Sequence, residues 1–188
     1  MKLSTAIKTR RSIFPVDYIP GNVLPDDLVE ILESSRWAPT HKKTEPWRYK
    51  VIQGEARTRL GDFMMAQFEE NEGKPAGIKL RKQKEKMQAS AAIILIFMNR
   101  DSKERIPEWE EIAAVSMSVQ NMWLTAHSLG YGAYWSSPKS YAHMKKFESI
   151  QVGENEKFLG FFYIGNHSIR EMPTVERQGI DHFVQFVK

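Results

Sequence analysis

A single domain of the α/β or α+β class is what the sequence predicts, on three observations. Apolar runs of strand length alternate with segments of helical, 3.6-residue periodicity. One run, Ala91 to Met98 (AAIILIFM), is apolar throughout, as expected of an interior strand covered on both faces. The 188 residues are 41% hydrophobic and 11% aromatic. That suffices for one core and excludes a disordered or collagen-like chain.

The elements follow in order. Ser4 or Thr5 is positioned to N-cap a short first helix that ends near Thr9-Arg10-Arg11-Ser12. Phe14 to Asn22, with Pro15, Pro20 and Gly21, reads as a loop. Pro25-Asp26-Asp27 opens a second helix, with its acids at the positive dipole end and Leu28, Ile31, Leu32 and Ser35 at helical spacing. Pro39 ends it. Trp47 to Gln53 is a predicted strand with Trp47, Tyr49 and Val51 on one face, and a helix carrying Leu60, Phe63, Met64 and Phe68 follows Gly54. Asn71 to Ile78 is a predicted mobile connection or lid, leading to a charged helix over 79–88.

After the Ala91–Met98 strand, Pro107 and Glu108 start a long helix. Ile112, Val115, Val119, Met122, Ala126 and Leu129 form one stripe, and Met117 and Leu124 a second. Burial on more than one side is expected. Gly130 terminates it, and a short strand over Ala133–Ser136 follows. Tyr141 to Ile150 suggests a helix, Phe158 to Ile164 a buried strand, and the last dozen residues an extended arm. The whole, residues 1–188, is expected to be one domain with a helical, lid-like excursion around 71–90.

Composition narrows the chemistry. No cysteine is present, which removes disulfides, thiolate metal sites and a thiol nucleophile. The net charge of +4, from 27 basic and 23 acidic residues, suits an anionic ligand without selecting one. No signal-peptide core precedes Lys8, Arg10 and Arg11, so a cytoplasmic protein is expected. From Ile112 to Pro138 no charged side chain occurs. The Gln, Asn, His and Ser side chains within it favour burial in protein or in a subunit interface over a membrane span.

Motifs were weighed against simpler explanations. Gly130-Tyr131-Gly132 leaves a helix and enters a strand, the reverse of a dinucleotide-binding loop, so helix termination explains it. No phosphate-binding P-loop, serine-nucleophile elbow or paired metal-binding histidines occur. The basic run Lys79, Arg81, Lys82, Lys84 and Lys86 reads as a solvated helix face more readily than as a nucleic-acid site. Arg10-Arg11-Ser12 places two guanidinium forks and a hydroxyl where a phosphate can be held.

That triplet, together with Arg36-Trp37-Ala38-Pro39-Thr40-His41 and Thr44-Glu45-Pro46-Trp47, resembles the nitroreductase family of FMN-dependent reductases, in its short, minimal branch. Pro107-Glu108-Trp109-Glu110, the turn from Gly130 to Ser136 and the strand from Gly160 to Gly165 continue the resemblance, in order, over essentially the whole chain.

The resemblance implies a three-layer α+β fold with a mainly antiparallel central sheet flanked by helices. It also implies a homodimer with FMN at the interface. Arg10, Arg11 and Ser12 would hold the phosphate and ribityl end, with Arg170 as a further basic contact. Trp135, Ser136 and Ser137 would line the cofactor, while Trp37 and His41 would reach the partner subunit's FMN. Lys43 stands about where much of the family has Asn, and Glu45 where it has Gln. Lys43 or His41 would then be the donor at the flavin ring edge. NADH or NADPH would reduce the flavin, and a nitroaromatic, quinone or similar small-molecule acceptor would reoxidise it in ping-pong fashion. The chemistry lies on FMN, so no catalytic side chain, metal, nucleic acid or membrane is implied. A flavin carrier or sensor without turnover is the alternative, motivated by Lys43 and Glu45. A nucleic-acid or acidic-partner binding protein is the third reading.

Overall fold

A computed structural model describes residues 1–73, 75–137 and 142–187, without the side chains of Lys79, Ala142 and His143. Five helices are seen: α1 (Leu3–Thr9), α2 (Pro25–Ser35), α3 (Ala56–Glu72), α4 (Ile78–Ala89) and α5 (Glu108–Ser128). The strands are β1 (Tyr18–Ile19), β2 (Trp47–Gln53), β3 (Ala92–Asn99), β4 (Gly132–Ser136) and β5 (Glu156–His167).

β3 is the hub of the sheet. It pairs with β2 from Trp47↔Met98 to Gln53↔Ala92, and with β5 from Ala92↔Ile164 to Asn99↔Glu156. β4 pairs with β5, and β1 joins the end of β5 at Tyr18↔His167. Every pairing is antiparallel, which places the fold in the α+β class. The β3–β5 register shifts between Ile96 and Phe97, where Leu159 is the extra residue. Gly160 next to it has φ +142°, and the Ser136 carbonyl and Trp135 ring approach so closely that a Cβ would collide with them.

The apolar run of β3 is two alternating patterns superposed. Ile94, Ile96 and Met98 pack with Ile31 of α2 and Val115, Val119 and Met122 of α5. Ile93, Leu95 and Phe97 pack with Leu60 and Met64 of α3 and Met87 of α4. The sheet is therefore the middle of three layers. The excursion around 71–90 is packed: Met87 is fully buried, Gln83 bonds the Tyr163 hydroxyl, and the Ala76 N–H donates to Glu69 at 3.0 Å.

Several expectations need correction. Helix α1 starts at Lys2, whose carbonyl accepts from the N–H groups of Thr5 and Ala6 at 3.0 Å. Ser4 and Thr5 thus lie inside the first turn, and neither caps it. The Phe14–Asn22 segment contains a 3-10 turn (Pro15–Asp17) and β1, whose two residues are too short to show a period. Burial of the two stripes of α5 is incomplete within this chain: Ile112, at the start of the first, is 36% exposed, and in the second Met117 is 41% exposed while Leu124 is half-buried. Residues 142–146 form a 3-10 turn rather than a longer helix. Tyr141, where that helix was expected to begin, lies outside the described residues, as do Lys74 of the connection and Pro138 at the end of the uncharged stretch. Among the described residues no helix is long and apolar enough to cross a membrane.

Candidate functional site

Helix α1 ends at Thr9, and the backbone turns extended at Arg10, with φ −56° and ψ 130°. The Arg10 N–H still closes the helix on Ala6 O at 2.9 Å. This ending delivers the Arg10 guanidinium onto the indole of Trp123 in α5, with Cζ 4.3 Å from the ring centroid. Immediately afterwards the Ile13 N–H donates to Ala133 O at 3.1 Å, which runs the Arg10–Ser12 segment beside β4.

A cavity of about 380 Å³ opens here, lined by Ile7, Lys8, Arg10, Arg11, Val175 and Arg177. Four of the six lining residues are cations and none is an acid. Arg10 Nη1 is buried without a partner among the described residues, as are Trp123 Nε1 and His167 Nε2. The Ile169 N–H donates to His167 Nδ1 at 3.2 Å. The neutral ring must therefore carry its hydrogen on Nε2, so all three unpartnered atoms are donors. Buried donors without acceptors are rare in native proteins and call for an acceptor from outside the chain.

The electrostatics agree. Burial, then the neighbouring Arg11 and Arg177 guanidiniums, push Arg10 below its ordinary value. Burial, then Arg10, His167 and Arg11, lower His127, whose Nε2 lies 2.8 Å from Thr9 Oγ1. Burial lowers His167. The end of α1 and the segment after β5 thus direct positive charge at one place, the condition for binding an anion, while the two lowered histidines favour their neutral forms.

Arg11 is engaged differently. Its Nε donates to Pro173 O at 2.9 Å, and its Nη1 to Lys8 O at 2.8 Å and Arg10 O at 2.9 Å. Ser12 is exposed beside it. On the β4 side, Trp135 is half-buried with its indole N–H on Leu159 O at 3.3 Å, Ser136 is half-buried and Ser137 is exposed.

A second region is the loop His41–Glu45. Lys42, Lys43 and Glu45 have φ of 49°, 53° and 41°, a left-handed conformation that side-chain-bearing residues seldom adopt. Such strain persists only where surrounding contacts fix it, and it concentrates at functional sites. Those contacts are present: His41 Nδ1 meets Glu110 Oε2 of α5 at 2.6 Å, and Lys42 Nζ donates to Arg105 O at 3.0 Å. The Glu45 N–H donates to Thr40 Oγ1 at 3.2 Å. Lys43 is exposed, and Trp37 is 78% exposed under the Arg36 guanidinium.

The structure brings Arg10, Arg11 and Ser12 to the β4 edge. Of the predicted residues only Arg10 and Arg11 line the cavity; Ser12, Trp37, His41, Lys43, Trp135, Ser136, Ser137 and the exposed Arg170 do not. Lys8, Val175 and Arg177 do, and the sequence reading missed them. The only signal for Arg177 was a second basic residue after the last strand. Among the described residues no group of three or more histidines or acids is placed to hold a metal. In α4, Lys84 pairs with Asp62 and Lys86 lies over the Tyr134 ring.

A cavity lined by four cations and no acid, on a three-layer α+β frame, is suited to an anionic ligand. The chain belongs to the Nitroreductase family, whose profile matches residues 7–166. The Bacillus subtilis (strain 168) protein named "Putative NAD(P)H nitroreductase YfhC" is 27% identical over 179 residues, covering 94% of this chain and 89% of that one. The crystal structure of a nitroreductase-like family protein from Bacillus cereus superposes with a TM-score of 0.83 at 28% identity, over 100% of this chain and 97% of that one. A nitroreductase with bound FMN from Bacteroides fragilis shares the fold, with a TM-score of 0.73 at 20% identity and 100% coverage of both chains.

Proposed function

We propose that the protein is an FMN-dependent oxidoreductase that takes hydride from NADH or NADPH and passes electrons to nitroaromatic, quinone or similar acceptors. The observation that carries this reading is the acid-free cavity lined by Arg10, Arg11 and Arg177, with one Arg10 nitrogen buried and unpartnered among the described residues. A phosphate monoester fits it: it brings about two negative charges and only acceptor atoms. Family membership, and relatives named for NAD(P)H nitroreduction or holding FMN, support the choice of flavin.

Bound FMN supplies reversible hydride and electron transfer at its ring. Arg10 and Arg177 hold the phosphate by charge-assisted bonds, and Trp123 fixes the Arg10 fork in plane. Ser12 lies within reach of the ribityl end. Trp135, Ser136 and Ser137 on β4 line the ring, with Trp37 and His41 contributed by the partner subunit of a homodimer. Lys43 places a cation at the ring edge. Arg170, exposed after β5, belongs to the outer rim. The whole chain serves as one domain acting in the cytoplasm. Both substrates use one place in turn, which makes the kinetics ping-pong.

The purified protein should be yellow, bleach with NADH or NADPH, and recover its colour on adding a nitroaromatic or quinone. A colourless protein that takes up no FMN overturns the proposal. Tight FMN binding without bleaching supports a flavin carrier instead.

A further inference from the structure

We propose that His127, at the C-terminal end of α5, is a proton-linked member of the anion site: it takes up a proton when a phosphate-bearing ligand binds beside Arg10. The inference rests on the reading of the cavity as a phosphate site.

The placement of the ring comes first. Trp123 and His127 are four residues apart on α5 and share one face, with Cβ atoms about 5–6 Å apart. The end of α1 engages both. Arg10 lies over the Trp123 ring with Cζ 4.3 Å from its centroid, and Thr9 Oγ1 lies 2.8 Å from His127 Nε2. The half-buried imidazole is therefore one helical turn from the indole that carries the cavity-lining guanidinium.

The Thr9 contact tolerates either charge state. Its hydroxyl also reaches Thr5 O at 2.9 Å and has one hydrogen to give. With that hydrogen on Thr5 O, His127 donates to Oγ1 from Nε2, and a proton from solvent adds at Nδ1. With the hydrogen on Nε2 instead, protonation of Nε2 turns the hydroxyl back to Thr5 O. The ring can gain a charge without giving up its tie to α1.

The balance of charge sets when it does so. His127 stands in the last turn of α5, where the helix dipole favours a cation. Burial opposes this, and so do the groups that face the ring: Arg10 at the end of α1, His167 at the end of β5, and Arg11. None of them is an acid. Together they hold the ring of the ligand-free protein below its ordinary value. A phosphate dianion beside Arg10 offsets the guanidiniums and attracts the imidazolium. Binding thus draws in a proton, and by linkage a protonated His127 tightens binding.

Nuclear magnetic resonance of the full-length protein, isotope-labelled at histidine, tests this. The signal lost in His127→Gln assigns the ring, and Gln keeps a donor for Thr9. The titration midpoint of His127 is read alone and with excess FMN, riboflavin or inorganic phosphate. Flavin binding is followed separately by fluorescence quenching. FMN and phosphate should raise the midpoint, and riboflavin, which lacks the phosphate, should not. In addition, the FMN affinity of the wild type relative to His127→Gln should rise roughly threefold from pH 8 to pH 6. Taking the ratio cancels the titration of the ligand's own phosphate. A midpoint unmoved by bound FMN, one moved equally by riboflavin, or a ratio that does not change with pH overturns the proposal while leaving the FMN reading intact. If FMN does not bind, the phosphate arm decides. A midpoint raised by phosphate sustains the role of His127 as the FMN reading falls, and an unmoved one overturns both.

Discussion

Arg10 is a charged side chain with one nitrogen out of water and no acceptor for it. Stacking on Trp123 orients the guanidinium, and the phosphate proposed above would complete its bonding. Arg10→Ala is expected to weaken FMN binding by about 1.5–3 kcal/mol, the range for a hydrogen bond to a charged group, measured by flavin fluorescence titration. Arg10→Lys keeps the charge but loses the fork and the stack, so its affinity should fall between the two. His127 and His167 give a second prediction. Both are lowered by burial, so the folded protein binds fewer protons there than the unfolded chain. Their contribution to stability is complete above the ordinary imidazole value of 6.5 and is lost as pH falls through the lowered ones. The melting temperature of the flavin-free protein should drop from pH 7.5 to pH 5, and His127→Asn should flatten that slope. At this scale Arg10-Arg11-Ser12 was legible because three ligand-type residues are adjacent. Arg177 was not, because only the fold returns the segment after β5 to helix α1.

At the scale of elements, the acidic first turn of α5 acts as a junction. Glu108 pairs with Lys157 at the start of β5, at 2.6 Å. Glu110 meets His41, and the fully buried Glu111 meets Arg100 and accepts from the Asp101 N–H at 2.9 Å. Asp101 in turn binds Arg105 at 2.8 Å, which holds its carboxyl down at about 2. One helical turn thereby fastens the β3 exit, the β5 entry and the strained 41–45 loop. Glu110→Ala should cost no more than about 1 kcal/mol of stability, as exposed pairs do. It should nevertheless accelerate amide hydrogen exchange across 41–45, since a left-handed run needs its external ties. In the sequence Glu108 marked only the start of a helix, because the bonds of these acids all reach distant segments. The strands were more legible. β2 shows alternation and β3 an unbroken apolar run within a few residues, whereas β1 exists only through its pairing with β5.

At the scale of the molecule, the exposed apolar residues in the first half of α5 are the feature that one chain leaves unexplained. Ile112 and Met117, with Trp109 at 68% exposure, form an apolar face on the longest helix. The homodimer proposed above would cover it. Sedimentation should therefore give twice the 21.8 kDa chain mass. Met117→Glu should yield monomers that retain FMN poorly, if partner residues such as Trp37 and His41 complete the site. The double periodicity of α5 was visible in the sequence, but what covers its second side depends on another molecule.

The cavity also constrains when the protein can acquire its ligand. Its two halves, residues 7–11 and 175–177, are separated in the chain by the entire sheet. During synthesis the first half emerges before any strand and the second only after β5. Ligand capture therefore cannot guide the nascent chain. The sheet must assemble on its own hydrophobic pattern, and the cavity exists only once β5 and the segment after it are in place.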